Sequence, residues 1–353
     1  MKQLFVCFAL TVLCIFPAWG AELAVPGLDQ VWETAEDYGV SRGESLDGGL
    51  SNLLSGALGQ IGTLFRSSLS TAAKLVTVVL LCSLAESVRA GEERGLQAVA
   101  IAGTLAIAAL TMTDMAVMIG LGRDTLGRME AFSQVLLPAM AVLTAATGNV
   151  TAAAARQGAT VLFSQLLITA MDRLLVPLVY AFAAASCAYA AVGNPGLKKL
   201  AELLKGAVTF VLTALLLAFV GYLTASGTIA GSVDAAAVKA AKMAITRAIP
   251  VVGGILADAS ESVLAGAGAL KGTVGAAGLL VVLAICLTPF LRLALQYLVY
   301  KGAAALCAIV AQPRLSGLID AIGSAFGLVL GMTGAGALVL LVSLVSAIGA
   351  AAP

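Results

Sequence analysis

Phe326-Gly-Leu-Val-Leu-Gly-Met-Thr-Gly-Ala-Gly-Ala-Leu-Val-Leu-Leu-Val-Ser-Leu-Val-Ser-Ala-Ile348 is a run of 23 residues without a charged side chain. A helix of that length covers about 35 Å, enough to cross a hydrocarbon core of about 30 Å. A helix also satisfies its own backbone hydrogen bonds, which lipid cannot do. Similar runs recur upstream at Leu69 to Ala85, Leu96 to Leu121, Leu203 to Leu223 and Val274 to Leu291, the last closed by Arg292. Leu293 to Ala311, which contains Lys301, is weaker. Between Val135 and Val192 the apolar runs are short, interrupted by Pro138, Gly148-Asn149, Arg156, Asp172-Arg173 and Pro177. Three short spans, or a re-entrant pair plus one span, fit that region equally well, with Asp172-Arg173 read as a turn or interfacial pair. The expected fold is all-α and polytopic, with about seven to nine transmembrane or re-entrant helices.

Composition agrees. The chain has 353 residues, 60% hydrophobic and 11% charged, with a mean hydropathy of +1.03, against about 25% charged in soluble domains. A net charge of +1 is no field for displacing counterions from nucleic-acid phosphates. There is no histidine, so Ser-His-Asp and Cys-His hydrolysis are excluded and the commonest zinc ligand is missing. No G-x-x-x-x-G-K-[ST] loop is present, nor a metal-binding H-E-x-x-H. The nearest approach to an intramembrane aspartyl motif is Gly120-Leu-Gly122-Arg-Asp124, with the acid one place late. Neither an enzyme nor a cofactor or metal site is expected. Cys82, Cys187, Cys286 and Cys307 each sit alone in apolar runs and read as packing residues.

Met1 to Gly20 carries Lys2, an apolar run from Leu4 to Phe16, and small residues at Ala18 and Gly20, which fits a signal peptide (1–20) cleaved before Ala21. Ala21 to Leu50 opposes seven acidic residues with Arg42 alone, and an amphipathic approach runs from Leu53 to Arg66. The expected organisation is therefore an exported segment over 21–66 and a polytopic membrane domain over 67–353. Asp114, well inside a long apolar run, is the candidate intramembrane carboxylate. Gly327-x-x-x-Gly331-x-x-x-Ala335 would let helix backbones approach closely.

Ser232 to Gly275 interrupts the apolar pattern with a charged, helical-looking hairpin, its body at 232–272. Lys239, Lys242 and Arg247 charge its first limb, Pro250, Gly253 and Gly254 break it, and Asp258 and Glu261 charge its second. Lys239 and Lys242 share one helical face, as do Asp258 and Glu261. These residues are the candidate gate or docking element. The limbs could form an ion-pair seam, line a polar passage, or lie as an interfacial hairpin with snorkelling lysines.

Ser232-Val-Asp234, Lys239-x-x-Lys242, Ile249-Pro-Val-Val-Gly-Gly254, Asp258-Ala259, Val263-Leu-Ala-Gly266 and Leu270-Lys271-x-x-Val274-Gly275 closely resemble the stage III sporulation protein AE family of endospore-forming bacteria. Leu136-Leu-Pro138, Thr144-Ala-Ala-Thr-Gly-Asn-Val-Thr-Ala-Ala153 and Ile285-Cys-Leu-Thr-Pro289 add to the resemblance. It implies a multi-pass protein of the mother-cell membrane around the forespore, a permease-like or export-gate-like subunit of a transenvelope channel. The partners it implies are a cytoplasmic secretion-type ATPase, ring-forming proteins of the intermembrane space and other channel subunits in the lipid bilayer, with homo-oligomers possible. It carries no catalytic residues. An autonomous ion-coupled transporter using Asp114, or a membrane scaffold without a conduit, are the competing readings.

Overall fold

The computed structural model describes residues 28–37, 40, 46–88, 93–146, 162–225, 273–310 and 313–349. The described residues form helices and no strand. We number them α1 (Leu28–Asp37), α2 (Leu46–Val88), α3 (Glu93–Ala146), α4 (Leu162–Val192), α5 (Pro195–Ala225), α6 (Thr273–Val310) and α7 (Pro313–Gly349). Six of them are long and apolar enough to cross a membrane. The chain is an all-α, multi-pass membrane protein.

The helices run further than hydropathy alone suggests. The amphipathic approach and the first span are one 43-residue helix, α2, and the second span continues through the charged stretch Arg123 to Glu130 as the 54-residue α3. At 1.5 Å per residue these are about 65 and 80 Å long. Val274 to Leu291 and Leu293 to Ala311, read separately as two spans, are one helix: α6 passes through Pro289 and Arg292 without ending. A proline removes one backbone bond, a loss that packed membrane helices tolerate. Among its described residues the 135–192 region likewise holds the end of α3 and one further span, Leu162–Val192. Asp172 and Arg173 lie in neither a turn nor a loop, but inside α4 in a π-helical turn, Met171–Leu175. The Val176 N–H donates to Met171 O, an i→i+5 bond, immediately before Pro177, which has no N–H to give. The expected signal peptide (1–20), 147–161 and the residues of the expected hairpin from Lys239 to Glu261 lie outside the described residues.

Three hairpins build the bundle, and all turn at one end. Ser83 Oγ near the end of α2 donates to Val310 O at the end of α6 (3.0 Å), and the Arg314 guanidinium at the start of α7 lies over Gly193 between α4 and α5. The α4–α5 turn is only two residues long. Gly193 takes the left-handed conformation (φ 74°) and its N–H caps Tyr189 O, while Asn194 Oδ1 accepts from Gly196 N–H (2.8 Å) with Pro195 in the first turn of α5. At the opposite end Ser164 meets Ser343 (3.0 Å), Phe163 packs on Phe219 and Tyr222, and α1 inserts Trp32 and Ala35 into the core. Ala225 and Thr273, the helix ends that flank 226–272, are therefore on the same side as α1.

The last helix is central. Of its most apolar window 94% is buried inside the bundle, against 17% for α2, because α7 is apolar all round and can be surrounded on every side. Its glycines set how close the neighbours come: a Cβ at Gly323 would lie 3.1 Å from Tyr300 Cβ, and one at Gly327 would lie 2.9 Å from the Tyr297 ring. Of the Gly327-x-x-x-Gly331-x-x-x-Ala335 stripe, Gly327 makes such an approach, against α6. Among the described residues α2, by contrast, packs chiefly on α3 and α6 and leaves most of its circumference uncovered.

Candidate functional site, a polar network inside three spans

Asp114 of α3 is half-buried and joins two side chains of α6. Its Oδ2 accepts from Tyr300 OH (2.8 Å) and from Gln296 Nε2 (3.1 Å). Gln296 in turn accepts through Oε1 from Ser68 Oγ of α2 (2.8 Å). Ser68, Gln296 and Tyr300 are buried. One continuous chain of hydrogen bonds therefore ties α2, α6 and α3 together.

Ser68, Asp114 and Gln296 each lie at least 13 residues, about 20 Å, from either end of their spans. Polar groups at that depth are costly unless satisfied, and this network satisfies them mutually. Tyr300 is held by its ring, which packs edge-on against Phe326 of α7 with centroids 4.9 Å apart. Gly323 provides the room for that ring's backbone.

Beside the network is a half-open cavity of about 250 Å³, lined by Ser67, Ser68 and Thr71 of α2, Asp114 and Met118 of α3, and Arg292 and Gln296 of α6. It is large enough for several waters. A carboxylate, a guanidinium and three hydroxyls share its wall, and among the described residues Asp114 Oδ1 takes no hydrogen bond.

Two further polar clusters hold helices together. Arg123 of α3 pairs with Asp172 in the π turn of α4: Nη2 donates to Oδ2 (3.2 Å), and Nε lies 2.6 Å from Oδ1 as an ion-pair contact without hydrogen-bond alignment. The partner of Asp172 is thus Arg123, and not its sequence neighbour Arg173. At the hairpin end, Lys301 of α6 bonds Asp320 Oδ1 (2.7 Å) and Ser324 Oγ (2.8 Å), and Lys205 of α5 reaches the same Ser324 (3.4 Å). Cys82, Cys187, Cys286 and Cys307 are free thiols.

The family model for stage III sporulation protein AE matches residues 38–351. The chain belongs to the stage III sporulation protein AE family. A curated relative, stage III sporulation protein AE of Bacillus subtilis (strain 168), is 25% identical over 197 residues, which is 56% of this chain and 49% of the relative. The match thus spans about half the length of that relative. No solved structure matches the chain. Membership gives this multi-pass membrane protein a role in sporulation, and it places the polar network in a sporulation protein of the stage III sporulation protein AE family.

Of the residues singled out from sequence, Asp114 lies in this network, whereas Lys239, Lys242, Arg247, Pro250, Gly253, Gly254, Asp258 and Glu261 lie outside the described residues. Sequence reasoning missed Ser68, Gln296, Tyr300 and Arg292. Gln296 was discoverable, as an uncharged polar side chain near the start of the apolar run Leu293 to Ala311. The pairing of Gln296 with Asp114 was not, since 182 residues separate them.

Proposed function

We propose that the chain is a non-enzymatic, permease-like or export-gate-like subunit of a transenvelope channel between mother cell and forespore, residing in the mother-cell membrane that surrounds the forespore. The observation that carries this reading is the polar network and its cavity inside three spans of a sporulation-family membrane protein. Hydroxyls, an amide, a carboxylate and a guanidinium gathered at that depth suit the wall of a hydrated path better than a purely structural bundle. Its proposed partners are a cytoplasmic secretion-type ATPase, ring-forming proteins of the intermembrane space and further copies of itself. The charged segment Lys239 to Glu261 is the proposed gate or docking element, on its sequence pattern alone.

The test is deletion and complementation in the endospore-forming host. Without the chain, forespores should engulf and then fail to develop, and the tagged chain should copurify with the ATPase and ring proteins from detergent extract. Normal spore numbers in the deletion strain would refute the reading. A carrier that works alone is the second reading, favoured by Asp114 itself. Asp114→Asn abolishes function in a carrier coupled through that carboxylate and leaves a passive conduit nearly unaffected.

A further inference from the structure

From Thr63 to Thr77 the outward face of α2 is polar, and beyond Thr77 the same stripe turns apolar with Leu81, Leu84 and Val88 exposed. Thr63, Arg66, Ser67, Ser70, Lys74 and Thr77 recur at helical spacing along it, and all six are exposed. Ser67 and Thr77 spend their hydroxyl protons on their own helix, on Leu64 O (2.9 Å) and Ala73 O (2.8 Å), an arrangement that lipid would tolerate. The two cations are different. Neither Arg66 nor Lys74 takes part in the ion pairs seen among the described residues, Arg123–Asp172 and Lys301–Asp320.

A hydrocarbon core takes about 20 helical residues, and every such window within the span Gly48–Ala85 contains Arg66. A window that begins near Gly48 or ends near Ala85 holds Arg66 at its edge, where it can snorkel, but a core centred on Ser68 and the polar network holds both Arg66 and Lys74 on the outer face. An unpaired cation on the outer surface of a span is expensive in lipid and has to meet water or protein. A dry contact between two copies of this face would press like charges together, so the face has to be hydrated. Among the described residues the centre of the bundle is occupied by α7, buried and apolar, and offers no passage there.

We infer that several copies of this chain turn their α2 faces toward a shared aqueous passage, lined by rings of Arg66 and Lys74, that favours anionic solutes. Closed cyclic symmetry repeats each lining residue as a ring, and rings of Arg or Lys select for anions. The cavity beside Ser67 and Thr71 opens on the same flank. Its Arg292 and Asp114 offset one another and leave the positive balance to α2. The inference rests on the conduit reading above and adds the lining helix and the charge class of what passes.

The test uses the full chain in lipid vesicles, with single cysteines at Ser70→Cys and Thr77→Cys. The control is Leu217→Cys on the exposed apolar face of α5, and the unsubstituted chain sets the background. Membrane-impermeant anionic and cationic thiosulfonates are applied, each rate normalised to that on a small free thiol. Both α2 positions should react with both reagents, the anionic one favoured about tenfold or more by local potential, and Arg66→Glu with Lys74→Glu should reverse the preference. Rates no faster than at Leu217→Cys place the face in lipid and overturn the inference. Disulfide cross-linking between copies at Ser70→Cys without labelling means a dry interface and overturns it too, as does equal reactivity with the two reagents. These outcomes do not depend on spore counts: a sporulation-defective deletion with an unreactive α2 face refutes the anionic passage alone, and normal spores from the deletion refute the conduit reading itself.

Discussion

The bond between Tyr300 and Asp114 should couple the two residues energetically, and a double-mutant cycle measures that coupling. Tyr300→Phe keeps the ring against Phe326 and removes only the hydroxyl that donates to Asp114 Oδ2 at 2.8 Å. Asp114→Ala removes the acceptor, and the loss of the Gln296 bond that goes with it cancels across the cycle to first order. Interhelical hydrogen bonds in membrane proteins couple by about 0.6 kcal/mol on average and up to about 1.7. A short bond from a fully buried donor belongs in the upper half of that range. We expect a coupling of about 1 kcal/mol, roughly a fivefold change in the unfolding constant. The assay is reversible unfolding of the full chain in mixed micelles, followed by far-UV circular dichroism for wild type, both single variants and the double variant. If the single effects add within about 0.3–0.5 kcal/mol, the contact carries no interaction energy and the argument that it joins α3 to α6 fails.

Other outcomes follow from the same geometry. Gln296→Leu takes away the link between Ser68 and Asp114 and leaves both short of a partner, so in the same micelles it should destabilise by about 1–3 kcal/mol. Gly193→Ala has to adopt a left-handed φ of 74° and displace the Arg314 guanidinium, at a cost of about 1–2 kcal/mol, readable as a lower melting temperature. Gly122→Val overfills the contact between α3 and Val329 of α7 and should cost about 1–3 kcal/mol, whereas Gly127→Val, where a Cβ meets nothing within 4 Å, should fall well below that in the same melts. Reversing both Lys239 and Lys242 to Glu should stop forespore development while the protein remains in the membrane fraction, and normal spores would remove the gate or docking role from that segment.

Much of the architecture was legible because hydropathy and helix length are local properties. The apolar runs at Leu69, Leu96, Leu203, Val274 and Phe326 all lie in membrane-spanning helices, and Asp114 stood out because its neighbours are apolar. Boundaries were less legible. Arg292 reads as the end of a span in a hydropathy trace, yet α6 carries it through, because an arginine beside a polar cavity costs far less than one in lipid. Asp172-Arg173 reads as a turn or interfacial pair for the same reason, and is helical in the structure with Arg123 as the partner of Asp172. α2 shows the limit in the other direction, since its hydroxyls and cations were visible as residues but not as an exposed face.

By itself the sequence determined that this is an all-helical membrane chain of a sporulation family, because the cost of leaving polar backbone in lipid admits few alternatives and because the Ser232 to Gly275 pattern is distinctive. Only the tertiary structure decided that α7 lies at the centre, that three hairpins turn at one end, and that Ser68, Asp114, Gln296 and Tyr300 form one network. The physical reason is that periodicity within a helix says which residues share a face, while the neighbour each face meets depends on packing among helices that are far apart in the chain.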